Sequence, residues 1–180
     1  MKNKRLMGII GLIAAAVIGT AIYSATAGKD NKATSNNEKA KVGVLQLVSH
    51  PSLDLIYKGI QDGLAEEGYD KDKVDIDFLN AEGDQNKVAT MSKQLVDKDN
   101  QVLIGIATPS AQGLASATKD KPIVMGAITD PVGANLVKDL KKPGGNITGV
   151  SDHNPTEQQL KLIKELTPNV KTIGALYSTS

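Results

Sequence analysis

The chain has 180 residues, a formal net charge of +1, two histidines and no cysteine. Disulfides and thiolate metal sites are thereby excluded, and two histidines make a poor basis for a histidine-rich metal centre. Lys2, Lys4 and Arg5 lie ahead of everything else, so the remainder carries a slight negative balance and no basic field for nucleic acid.

Those three basic residues precede an uncharged stretch from Leu6 to Ala27, apolar as far as Tyr23. A basic start, an apolar run and the small-residue sequence Ala25-Thr26-Ala27 have the form of an export signal. The run is also close to the ~20 residues that span a bilayer, so residues 1–27 read as a cleaved signal peptide or an uncleaved membrane anchor. In both cases the basic end stays inside and the rest is exported, to be held at the outer face of the membrane or secreted. Residues 28–41, rich in Lys, Asn, Ser and Ala with no apolar periodicity, read as a disordered linker.

From there the pattern alternates between strand and helix. Val42–Val48 is an apolar run, and Leu53, Ile56, Tyr57, Ile60 and Leu64 mark one helical face that ends at Gly68, a C′ residue by its position. Val74, Ile76 and Phe78 alternate with Asp75 and Asp77, as in a half-buried strand. Val88, Met91, Leu95 and Val96 form the next helical stripe. Val102–Ala107 and Ile123–Ile128 are continuous apolar strands, separated by the Ala-rich segment Ser110–Thr118.

Continuous apolar strands are buried on both faces, as in a parallel sheet between helix layers. The alternating strand belongs at an edge. The expected fold is α/β, a doubly wound parallel sheet of order 2-1-3-4-5, with four βα units and a fifth strand at Asn146–Val150. Residues 42–150 then form an N-terminal lobe. The polar stretch 151–155 reads as a crossover hinge. Residues 156–180 read as the start of a second lobe, with a helix carrying Leu162, Ile163 and Leu166, and a new strand at Val170–Tyr177.

Three strands end alike, in a small hydroxyl residue followed by proline: Val48-Ser49-His50-Pro51-Ser52, Ala107-Thr108-Pro109-Ser110 and Ile128-Thr129-Asp130-Pro131. Proline suits the first turn of a helix, where its missing N–H had no partner. The preceding Ser or Thr can cap the free N–H groups. In an open parallel sheet these ends share the edge that binds ligands.

These segments, together with Val44–Asp54, Ala107–Gln112, Ile128–Val132 and Pro143–Asp152 in their order along the chain, give residues 41–180 a specific resemblance. The chain resembles the substrate-binding proteins of ABC importers, in the family that includes tryptophan- and tyrosine-type amino-acid binders. The resemblance implies a periplasmic-binding-protein-like (type I) architecture of two lobes closing on a small ligand, delivery to an ABC permease, and no cofactor. The preference for an aromatic amino acid is implied by that resemblance alone.

The residues supply the chemistry. A helix start offers N–H donors and a positive dipole end to a carboxylate, with hydroxyls from Ser49, Ser52, Thr108, Thr129 and Ser110 nearby. An ammonium needs an anionic acceptor, for which Asp130 is the leading candidate and Asp54 the second. Asp130 can equally be a turn residue before Pro131, Asp54 a first-turn acid favoured by the dipole, and Thr108 a simple cap. His50 can stack on a ligand or bond to it. Pro51, Pro109 and Ala107 shape the loops, and Ser178 opens the next strand-end loop. Neither a nucleophile elbow, a metal constellation nor a G-x-G-x-x-G after the first strand is present, which disfavours an exported enzyme. A membrane-tethered extracellular sensor is the other alternative.

Overall fold

The computed structural model describes residues 39–176. The expected signal or anchor, most of the expected linker and Ser178 lie outside these residues. Five strands are present: β1 (Ala40–Gln46), β2 (Val74–Asn80), β3 (Val102–Ile106), β4 (Ile123–Ile128) and β5 (Ile147–Ser151). They alternate with helices α1 (Pro51–Glu66), α2 (Gln85–Asp97) and α3 (Thr108–Ala117), and α4 (Thr156–Leu166) follows β5. Every strand pair is parallel, in the order β2-β1-β3-β4-β5. The order and the edge position of β2 are those the sequence pattern predicts. β1 begins at Ala40, two residues inside the stretch expected as linker, because Ala40 and Lys41 pair with Val74 and Asp75.

The sheet is buried on both faces, as continuous apolar strands require. On one face Leu45, Leu103, Ile123, Met125 and Ile147 meet Val88 and Leu95 of α2 and Ala111 and Leu114 of α3. On the other, Val42, Val44, Val102, Ile104 and Ile106 lie beneath α1, with Leu64 fully buried and Ile56, Tyr57 and Ile60 packed alongside. Tyr57 stacks on Phe78 of the edge strand with ring centroids 4.3 Å apart, and burial pushes its phenol pKa up. α1 closes with Gly68 at φ 85°, its N–H on Ala65 O and that of Tyr69 on Leu64 O, the C-terminal pattern expected there.

Two expectations fail. β4 is not followed by a helix, so there are three βα units, and not four, ahead of β5. Residues 129–146 contain Pro131, Gly133, Pro143, Gly144 and Gly145, and they fold as successive turns instead. Asp130 holds the first through Gly133 N–H at 2.9 Å, and Asp139 holds another through the N–H groups of Lys141 and Lys142. Leu136 and Val137 still reach the core and cover the sheet where a helix would have. The second failure is Val170–Tyr177: its described part, residues 170–176, forms no strand. A strand needs a neighbour to take its backbone groups, and none is paired to it among the described residues.

Candidate functional site

Parallel strands bring every strand end to one edge of the sheet. β1 and β3 are neighbours, with Gln46 opposite Ile106, yet the chain leaves β1 toward β2 and returns to β3 from the other side. This is the topological switch point, where adjacent loops diverge and leave a crevice. Ser49–Asp54 and Ala107–Ser110 flank it. Thr129 and Asp130 lie beyond β4, one strand further along the same edge.

The first loop is satisfied by its own side chains. His50, not Ser49, is the N-cap of α1: its backbone is extended and its Nδ1 accepts from Ser52 N–H at 3.3 Å. Ser49 Oγ instead faces Asp54, 3.4 and 3.5 Å from its two oxygens. Pro51 is the first helical residue, as its fixed φ favours. Ser49, His50, Pro51, Ser52 and Asp54 are all exposed.

The second loop is different. Ala107 occupies the N-cap position of α3 at φ 73°, ψ 155°, a backbone region otherwise used by glycine, and no side chain caps the helix. Thr108 is the first helical residue and makes no cap hydrogen bond, so the expectation that it caps α3 is corrected. A cap must stand outside the helix in extended backbone, and the turn at Ala107 takes that place. Pro109 has no N–H to donate. The first turn therefore presents the N–H groups of Thr108 and Ser110 with the dipole behind them. Ser110 itself is fully buried, and its hydroxyl has no partner among the described residues. Gly105 lets the helix start sit this close: a Cβ there would lie 2.7 Å from Ala111 N and Cα.

At the third loop Thr129 and Asp130 are exposed. Asp130 is folded onto its own turn, one oxygen on Gly133 N–H and the carboxylate in the space that a side chain at position 133 would fill. Ala127, at φ 54°, marks a register shift between β4 and β5, after which Ser151 pairs with Ile128 and Asp152 N–H reaches Ile128 O at 3.2 Å. Beside β1, at the β2–α2 turn, Lys87 pairs with Glu82. Their shared hydrogen bond and opposite charges hold the Glu82 carboxyl below and the Lys87 amine above their usual ranges.

The structure thus brings Ser49, His50, Pro51, Ser52 and Asp54 to the same crevice edge as Ala107, Thr108, Pro109 and Ser110, with Thr129 and Asp130 at its flank. One residue of this edge escapes the sequence reading. Gln46 ends β1 fully buried, and its amide reaches both Val48 O and the Asp54 carboxylate. A signal existed: Gln46 continues the face of Val42 and Val44, where a polar residue needs a partner. Among the described residues there is no cluster of metal-ligating side chains, and no helix is long and apolar enough to cross a membrane.

An uncapped helix start at the switch point of a doubly wound sheet can receive a small anionic group. The sequence matches the family described as ABC transporter substrate binding protein over residues 41–180, and the chain belongs to it. It is 42% identical over 188 aligned positions to a tyrosine-binding protein of Clostridioides difficile (strain R20291), a match covering 100% of this chain and 54% of the relative. Among solved structures, it is similar to an ABC domain in complex with L-Trp from Streptococcus pneumonia, at 78% identity and TM-score 0.76, over 79% of this chain and 48% of the other. A ligand-free, open structure of a substrate-binding protein with adhesive properties from Clostridium difficile matches at 40% identity and TM-score 0.67, over 72% of this chain and 44% of that one. The chain thus spans about half the length of these relatives.

Proposed function

We propose that the protein is an extracytoplasmic solute-binding protein that captures an amino acid, aromatic by preference, and delivers it to an ABC permease. The observation that carries this reading is the uncapped start of α3 at the β1/β3 crevice. The first turn leaves the N–H groups of Thr108 and Ser110 uncapped at the positive end of the helix dipole, which suits a carboxylate, and Thr108 carries a hydroxyl in the same turn. The relatives named for tyrosine binding and solved with L-Trp supply the side-chain preference.

In this reading residues 42–150 are one lobe, 151–155 the hinge and 156–180 the beginning of the second. α4 supports it. None of its residues is buried, and Leu160, Leu162 and Leu166 are exposed. An amphipathic helix in that condition needs a further layer to cover it. The ligand closes between the lobes, with His50 and Ser52 on one rim, Thr129 and Asp130 on the other, and Ser178 arriving from the second lobe. No catalytic role is assigned, in keeping with a family and a relative described as binding proteins. Residues 1–27 hold the protein at the outer membrane face or direct its secretion.

Titration calorimetry of the whole protein with L-tryptophan, L-tyrosine and L-leucine tests the reading. Saturable binding of an aromatic amino acid ahead of leucine is expected, with compaction in small-angle scattering as the lobes close. Absence of binding to all three, or ligand turnover, overturns it.

A further inference from the structure

Gln46 is fully buried at the end of β1, where an apolar side chain would fill the space without any polar group to satisfy. Its Nε2 donates to Val48 O at 2.9 Å and to Asp54 Oδ1 at 2.7 Å. Both partners are acceptors, so only the NH2 end of the amide can face them, and chemistry fixes its orientation. Its Oε1 is left buried without a donor among the described residues. Core filling does not account for such a residue; aiming a carboxylate does.

Asp54 is exposed, and among the described residues no lysine or arginine forms an ion pair with it. Gln46 holds its Oδ1, while Oδ2 has only the weak 3.4 Å approach of Ser49 Oγ. The carboxylate is thus fixed at the crevice edge with one oxygen to spare. Asp130, the alternative anion, is turned back onto Gly133. We infer that Gln46 is a positioning residue that aims Asp54 to accept the ammonium group of an α-amino acid ligand. The inference rests on the amino-acid-binding reading above and names the group that selects for the amine.

The test compares two probes, L-tryptophan and 3-indolepropionate, which lacks only the ammonium, by calorimetry on the whole protein. Asp54→Asn keeps an acceptor for Gln46 and removes the charge; it is expected to weaken L-tryptophan by about 10- to 100-fold, the range for a hydrogen bond to a charged group. Gln46→Met, similar in volume and without donors, is expected to weaken L-tryptophan about tenfold or less. Neither should move 3-indolepropionate by more than about twofold, because a des-amino ligand has nothing to offer the carboxylate. The double variant should lose no more than Asp54→Asn alone, since Gln46 acts through Asp54. Equal losses for both probes, unchanged L-tryptophan affinity in Asp54→Asn, or additive losses in the double variant overturn the inference. Wild-type protein that binds no amino acid removes the amino-acid reading itself. Selective binding that survives both substitutions leaves that reading standing and removes only the role of Gln46 and Asp54.

Discussion

The loops after β1 and β3 begin from the same punctuation, a hydroxyl residue, a proline and a serine, and end in opposite states. After β1 the helix start is closed by its own side chains, with His50 on Ser52 N–H and Gln46 and Ser49 around Asp54. After β3 there is no side-chain cap, the backbone is strained at Ala107, and a buried serine hydroxyl is left without a partner. Similar turn residues thus make one helix start that is capped, by the His50 that only the first loop has, and one that is not. The two junctions differ in their backbone donors: at the start of α1 a side chain caps them, and at the start of α3 none does.

Four substitutions sharpen or break that contrast, all read by urea unfolding. The largest effect is expected from Gly105→Ala, which drives a methyl group into the Ala111 backbone and should cost about 2–3 kcal/mol while displacing the α3 start. Ala107→Gly should act in the opposite direction. Relief of the strained φ outweighs the added chain entropy, for a gain of about 1 kcal/mol, and a loss would mean the strain is not real. His50→Ala removes a helix cap and should cost about 0.5–1 kcal/mol. Thr108→Ala should shift stability by no more than about 0.5 kcal/mol, because it caps nothing. Equal costs at His50 and Thr108 would erase the difference between the two junctions.

The third junction behaves as a turn. Asp130→Ala should cost about 1 kcal/mol through the lost Gly133 hydrogen bond, whereas Asp130→Asn keeps an acceptor and should be nearly neutral.

The strands were legible because burial on two faces writes itself as uninterrupted Val, Ile and Leu, and the edge strand because Asp75 and Asp77 interrupt it. Those two observations fit the doubly wound order 2-1-3-4-5, in which the second strand is outermost. Capping was less legible. Ser49 and Thr108 are better caps by type than His50 or Ala107, but the path out of each strand decides which residue stands at the N-cap. The lack of a helix between β4 and β5 was foreshadowed by Pro131, Gly133, Pro143 and Gly144, whose density outweighs the apolar residues Leu136 and Val137. The described part of Val170–Tyr177 has strand composition and no partner to pair with, a circumstance that composition does not encode. Gln46 was hidden because it lies inside the apolar run Val42–Val48, where one polar residue does not disturb the strand pattern.

Gly113 gives this layout a mechanical side. A Cβ there would lie 2.5 Å from Val88 Cγ1 and 2.7 Å from Ser92 Oγ, so α2 and α3 approach until side chain meets backbone. Helices meshed at that distance move as one plate and not as two rods. The uncapped α3 start and the Asp84-capped α2 start are fastened to the same plate, so the two helix starts keep a fixed spacing. Native-state hydrogen exchange should therefore find the facing segments of α2 and α3 opening together, as one cooperative unit.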